Sequence, residues 1–136
     1  MEIDIQNEIR KNVNDIAVIF RINVGTFKSN DGRFISTGVP AGFSDLFGFR
    51  KSDGKAVFLE VKTKTGRLSE KQEHFLKTMK SYGACVGVVR SVEDARRTIL
   101  GWFWILYKKW YNYTKFIFKL KIRAKFYDRK GIRYEV

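Results

Sequence analysis

Residues 42–62 read Gly42-Phe43-Ser44-Asp45-Leu46-Phe47-Gly48-Phe49-Arg50-Lys51-Ser52-Asp53-Gly54-Lys55-Ala56-Val57-Phe58-Leu59-Glu60-Val61-Lys62. Two apolar runs flank the turn-forming Arg50-Lys51-Ser52-Asp53-Gly54, a pattern that predicts an antiparallel hairpin. Folded that way, Asp45 and Glu60 stand side by side at one end of a sheet. Two carboxylates brought together there repel unless a cation lies between them. Hard oxygen donors of this kind suit Mg²⁺ or Mn²⁺. Strand alternation puts Lys62 on the same face as Glu60. An ammonium there can orient a metal-bound water or stabilise the charge that develops in phosphodiester attack. Glu-x-Lys alone is a common tripeptide; the upstream Gly-x-x-Asp-Leu and the intervening turn give it weight.

Outward from the hairpin, Ile5, Ile9, Val13 and Ile16 recur at helical spacing and predict an amphipathic helix over residues 2 to about 14. The β-branched run 17–24 predicts a strand, Ser29-Asn30-Asp31-Gly32 a turn, and 33–36 a short returning strand. Downstream, 63–68 is a polar, basic loop. Ser69-Glu70-Lys71-Gln72 has the form of a capping box and opens a helix with Phe75, Leu76 and Met79 on its apolar face. Gly83 ends that helix, 84–90 reads as a buried strand, and Ser91-Val92-Glu93-Asp94 opens a further helix through Ala95 and Ile99. Helix, three or four strands, helix, strand, helix is the order of a mixed α/β sandwich.

The formal charge of +13 on a 16.0 kDa chain points to a polyanionic partner. Nucleic acid comes first and an anionic membrane surface second. Cys85 is the only cysteine, which excludes an internal disulfide and a Cys-rich zinc site; it reads as a small buried hydrophobe. His74 is the only histidine, which argues against a histidine metal cluster or a Ser-His-Asp triad. Met1-Glu2-Ile3-Asp4 is not a signal peptide, and the apolar 99–107 is too short to span a bilayer. The cytoplasm is the expected location.

Composition changes near Gly101, which divides the chain into a core of residues 1–100 and a basic, aromatic extension of residues 101–136. The extension holds more than half of the chain's aromatic residues and only two acids, Asp128 and Glu135. From Phe118 its pattern alternates: Phe118, Leu120, Ile122, Ala124 and Phe126 against Lys119, Lys121, Arg123 and Lys125. With the turn Asp128-Arg129-Lys130-Gly131 and then Ile132, Tyr134 and Val136, this predicts a β-hairpin with one cationic face. Ahead of it, Trp102, Phe103, Trp104, Leu106 and Trp110 crowd one short segment. They are too many large apolar groups for one face of a small peripheral helix, and they predict a subunit contact, hence a homodimer.

These residues resemble the virus-type replication-repair nuclease (VRR-NUC) family, a branch of the PD-(D/E)XK nucleases. Glu2-Ile3-Asp4-Ile5-Gln6 is similar to the family's opening Glu-x-x-Ile-Gln, and Arg21-Ile22-Asn23-Val24-Gly25 to its Arg-x-Asn-x-Gly. Gly42-Phe43-Ser44-Asp45-Leu46 matches Gly-x-x-Asp-Leu, with Ser44 where many relatives have Pro. Glu60-Val61-Lys62 matches Glu-x-Lys, and Gly66-Arg67-Leu68-Ser69 with Gln72 matches Gly-x-Leu-Ser-x-x-Gln. The resemblance covers roughly residues 1–100 and leaves the extension without a counterpart.

It implies a restriction-endonuclease-like α/β core, a mixed central sheet flanked by helices, and a metal-dependent, structure-selective DNA endonuclease. Asp45, Glu60 and the Val61 carbonyl would hold Mg²⁺ or Mn²⁺, with Glu2 assisting directly or through water and Glu8 as the rival acid of the first helix. Lys62 would help activate the nucleophile. Gln72 would order the attacking water or Lys62, although the third position of a capping box explains it without chemistry. Arg21 and Asn23 would contact a phosphate or the active-site acids, or else are plain polar strand residues. Lys64 and Arg67 would touch the DNA backbone, or else are solvated loop cations. Stand-alone phage and bacterial members resemble Holliday junction resolvases and act as dimers, which implies branched DNA, a four-way junction or a flap. Two rivals come from other classes: a non-catalytic DNA-binding module on the same fold, and a membrane-surface protein driven by the cationic, aromatic extension. The intact Asp45, Glu60 and Lys62 set speaks against the first, because a binding module gains nothing from acids that repel phosphate.

Overall fold

The computed structural model describes the backbone of residues 1–125 and the side chains of residues 1–119. In chain order its elements are α1 (Glu2–Asn12), β1 (Ala17–Arg21), β2 (Thr26–Lys28), β3 (Phe34–Ser36), β4 (Leu46–Arg50), β5 (Ala56–Val61), α2 (Glu70–Ser81), β6 (Cys85–Val89), α3 (Val92–Leu100) and α4 (Phe103–Lys125). They fall into two compact units, the first being Met1–Gly101 and the second beginning at Trp102.

The central hairpin forms as its sequence requires. β4 and β5 pair antiparallel, with Leu46 opposite Leu59 and Phe49 opposite Ala56. Arg50 and Asp53 tie the turn: Arg50 Nε and Nη2 donate to the Asp53 carboxylate at 2.9 and 2.6 Å, and Asp53 accepts a third bond from the Lys55 N–H at 3.1 Å. β1 pairs antiparallel with the other edge of β4, and β6 runs parallel to β5. The result is a mixed four-stranded sheet in the order β1-β4-β5-β6, with β2 and β3 forming a separate hairpin. The pairing of β1 with β4 depends on Gly48, where a Cβ would run into the Val18 carbonyl.

Strand alternation then sorts side chains between two faces. On one face α1 and α3 contribute Ile9, Val13, Ala95 and Ile99 to a buried cluster with Leu46, Leu59, Val61 and Val89. Cys85 belongs to that cluster and is buried, as its surroundings in the sequence predict. The other face carries Phe58 and Glu60, and α2 covers it through Phe75. The Phe75 ring lies 5.4 Å from that of Phe58 and 4.7 Å from that of Phe43. Both capping serines act as their sequences predict. Ser69 Oγ accepts from the Gln72 N–H at 3.3 Å, and Ser91 Oγ accepts from the Asp94 N–H at 3.1 Å.

Two local expectations are corrected, and one short strand has no counterpart in the sequence reading. The first strand stops at Arg21 rather than continuing to residue 24, although the Ile22 N–H still follows the β1–β4 register and donates to the Asp45 carbonyl at 2.8 Å. The strand Thr26–Lys28, partner of the expected return at residues 34–36, carries too little pattern in three residues to be read. The alternation beginning at Phe118 is helical, not β: α4 runs unbroken from Phe103 to Lys125. Leu, Lys, Arg and Ala are strong helix formers, and extending an existing helix is cheap compared with nucleating a new element. The turn at 128–131 and the returning strand at 132–136 lie outside the described residues. Within α4, the rings of Trp104, Tyr107 and Tyr111 stack along one side, 5.6 and 6.1 Å between successive centroids. Lys108 Nζ lies 5.4 Å from the centre of the Trp104 ring.

Gly48→Ala is expected to lower the unfolding free energy by about 3 kcal/mol, the cost of overpacking against fixed backbone. Urea denaturation followed by far-UV circular dichroism measures this. A variant as stable as the wild type would contradict the close approach of β1 and β4.

Candidate active site

Carrying the β4–β5 register one step beyond Leu46–Leu59 sets Asp45 opposite Glu60, at the end of the sheet. Asp45 is held from two sides. Its carbonyl accepts the Ile22 N–H, and its Oδ2 accepts the Val61 N–H at 2.9 Å. The segment leading to it lies close against α2, because Gly42 adopts a φ of +93° and a Cβ there would stand 2.5 Å from the Lys71 carbonyl oxygen. A side chain at residue 42 would thus push Asp45 away from the helix turn that carries Gln72.

Glu60 is 1% exposed near the end of a hydrophobic strand. Its Oε1 accepts from Lys62 Nζ at 2.8 Å and from Gln72 Nε2 at 2.5 Å. Its Oε2 is buried and has no hydrogen-bond partner. Burial pushes the Glu60 carboxyl above the usual range, and the charge of Asp45 adds to this against the opposing bond from Lys62. For Lys62, burial pulls the other way, but the bond and charge of Glu60, with the charges of Glu2 and Asp45, more than offset it and raise the ammonium pKa. The pair is therefore a short, shielded ion pair in which one carboxylate oxygen remains without a donor. Such an atom is costly to bury.

That open oxygen is the test of fit for a cation. The Asp45 and Glu60 carboxylates form a hard, oxygen-only donor set, and the unpartnered Glu60 Oε2 is an atom an ion would satisfy. Among the described residues no three His, Cys, Asp or Glu side chains gather to hold a metal. An ion between Asp45 and Glu60 would therefore complete its shell with carbonyl oxygen and water, as Mg²⁺ commonly does. The residues fit Mg²⁺ or Mn²⁺.

The remaining residues singled out in the sequence fall into three groups. Glu2 reaches the site from α1: its Oε1 accepts the Thr63 N–H at 3.3 Å, and its charge acts on Lys62. Glu8 is exposed and engages Lys11 and Asn12, so Glu2 is the acid of α1 that faces the site. Arg21 and Asn23 line an open cleft of about 300 Å³ together with Asp45, Ser69 and Gln72. Lys64 and Arg67 are exposed on the loop between β5 and α2 and do not line that cleft.

Gln72 settles an alternative that the sequence leaves open. Its Oε1 accepts the Ser69 N–H at 2.9 Å, closing the capping box, while its Nε2 donates to Glu60. One amide serves the helix start with its oxygen and the site with its nitrogen.

Two contributors lie outside the site residues expected from the sequence, although Gln6 closes the Glu-x-x-Ile-Gln stretch quoted there. Arg90, at the end of β6, donates to the Thr63 carbonyl and, at 3.0 Å, to the Gly66 carbonyl, pinning the loop that follows Lys62. Nothing local in the sequence marks it. Gln6 is buried and lines the cleft. Its signal is a polar residue on the stripe that α1 otherwise buries with Ile9 and Val13.

Sheet, flanking helices and site together define a nuclease-type mixed α/β fold. Residues 27–93 match the family model of the VRR-NUC domain. A solved structure described as a VRR_NUC domain is similar over 74% of this chain and 96% of its own, with a TM-score of 0.52 at 21% identity. No curated protein matches the chain. The matched segment contains Asp45, Glu60, Lys62 and Gln72, whereas α1 and β1 precede it.

Ser69→Ala is expected to cost about 1 kcal/mol, the usual value of an N-cap. Gln72→Ala should cost more, about 2 kcal/mol, because it also strips a donor from buried Glu60. Urea denaturation of both variants reads the difference; equal losses would mean that the bond to Glu60 adds nothing.

Proposed function

We propose that this chain is a Mg²⁺- or Mn²⁺-dependent DNA endonuclease that hydrolyses phosphodiesters. The observation that carries the reading is buried Glu60, paired with Lys62, beside Asp45, and with one oxygen left without a partner. Asp45, Glu60 and the Val61 carbonyl would hold the cation, with Glu2 assisting through Thr63 and Lys62 or through water. When bound, the ion supplies Lewis acidity toward the phosphate and a more acidic water. Lys62, kept as an ammonium by Glu60, stabilises negative charge developing on the phosphate. Gln72 fixes the Glu60 carboxylate so that its open oxygen is presented in one orientation. Arg21 and Asn23 on the cleft, and Lys64 and Arg67 on the adjoining loop, bind backbone phosphates.

Labelled linear, flap and four-way DNAs incubated with Mg²⁺, Mn²⁺ or EDTA test the reading directly. Cleavage is expected with either metal and none with EDTA. Glu60→Gln should lower the cleavage rate by at least about 10³-fold, comparable to losing a principal electrostatic catalyst, while DNA affinity holds or rises slightly. Cleavage in Mg²⁺ by the folded variant would remove Glu60 from the active site.

The preferred substrate is branched DNA, and the working form is a homodimer of the resolvase type. Support for a subunit contact comes from α4, on which Leu106 and Trp110 are at least half exposed, as are the neighbouring Trp102 and Phe103. Exposed aromatic residues at this density are typical anchors of an interface, and a two-fold axis would present paired sites to a symmetric junction. Light scattering at moderate salt is expected to give twice the chain mass. A monomeric mass at micromolar concentration, with cleavage of flaps but not of four-way junctions, would overturn the dimer and the junction preference together.

A further inference from the structure

Two buried side-chain oxygens among the described residues lack a hydrogen-bond partner, Glu60 Oε2 and Gln6 Oε1. The first belongs to the site already described. The second lies on α1, one turn after Glu2, on the stripe that continues to the buried Ile9 and Val13. Gln6 is 7% exposed. An apolar residue is the ordinary occupant of such a position; an amide there gives up water, and at its oxygen it gains nothing from the protein. Yet the residue is not sealed in the core, because it lines the same cleft as Asp45 and Gln72. At roughly 30 Å³ per water, a cleft of this size has room for several waters. Gln6 thus shares a cleft with Asp45 and with Gln72, whose amide nitrogen donates to Glu60, and a hydrated cation there would offer its oxygen a donor.

We propose that Gln6 is a positioning residue of the metal site: its amide oxygen accepts a hydrogen bond from a water of the cation held by Asp45 and Glu60. This rests on the metal-dependent reading above. A neutral acceptor suits the place. It orients the hydration shell without adding a third carboxylate, which would repel the incoming phosphate. Groups that grip a metal through its outer shell commonly carry a large share of its affinity.

The test uses the whole chain and Mn²⁺ as probe, with free ion measured by electron paramagnetic resonance and stability by thermal denaturation without metal. Gln6→Met keeps length and shape and removes the acceptor; Gln6→Glu keeps the acceptor. Gln6→Met is expected to unfold at or above the wild-type temperature and to bind Mn²⁺ about tenfold more weakly. Gln6→Glu should retain affinity to within about threefold. Unchanged Mn²⁺ affinity in Gln6→Met would overturn the proposal. If weaker binding comes with lost stability, Gln6→Glu decides: restored affinity supports the role, and failure to restore it overturns it. Glu60→Gln separates the two levels of the argument. Wild-type binding that Glu60→Gln abolishes and Gln6→Met leaves untouched removes Gln6 alone, whereas a wild type that binds no Mn²⁺ removes the metal reading and Gln6 with it.

Discussion

Glu60 sits near the end of a hydrophobic strand, between Leu59 and Val61, both fully buried in the core beneath α1 and α3. A carboxylate in that position is destabilising unless several partners share its charge. Much of the local architecture can be read as the arrangement that supplies them. Lys62, the residue that follows β5, returns to the same face as Glu60, and α2 begins where Gln72 can reach across. The β4–β5 register brings Asp45 alongside from the neighbouring strand, adding repulsion where the protein already bears desolvation. The partners satisfy one oxygen of Glu60 twice and the other not at all. The fold therefore tolerates a local electrostatic debt at one end of its sheet, a pattern found where function rather than stability sets the arrangement.

Supporting this pair requires rigidity from three directions, and each has a recognisable cause. Gly42 permits the Asp45 segment to lie against the first turn of α2. The capping box fixes that first turn through the same residue that touches Glu60. Arg90 and Glu2 hold the loop after Lys62, one by its carbonyls and one by the Thr63 N–H. None of these groups needs to meet a substrate to matter, because each limits how far a carboxylate or ammonium can drift.

The hairpin carrying Asp45 and Glu60 was legible because two strong signals agree there, a Gly- and Asp-containing turn and two apolar runs of strand length. Period-two alternation then placed Lys62 correctly with no further information. Gln72 was legible as two alternatives, since a cap and a site contact both predict Gln three residues after Ser69; only coordinates show that a single amide can do both. Arg90 was not legible, because its role comes from the parallel packing of β6 on β5, a contact between residues far apart in the sequence. The three-residue strand Thr26–Lys28 offers too few positions for a period to appear. The Phe118–Lys125 error has a different origin. Strict alternation of apolar and cationic residues satisfies a strand template, but nothing in that template weighs propensity or the helix already running into it from Phe103.

The charge distribution gives the site a further logic. A formal +13 favours a polyanionic partner, yet the cleft is lined by the Asp45 carboxylate, with Glu60 buried beside it, and these charges would repel a phosphate. Arg21 and Lys71 line the same cleft as Asp45, so attraction and repulsion are separated by little more than a side chain. An approaching backbone would be held at the rim by the cations and kept from the acids unless another positive charge intervened between them. On the proposed metal-dependent reading a divalent ion would contribute twice. It would relieve the repulsion between Asp45 and Glu60, and it would convert the floor of the cleft from a barrier to phosphate into a place where phosphate can rest. Binding and reaction would then respond differently to metal removal, because the basic rim persists without the ion while the floor does not.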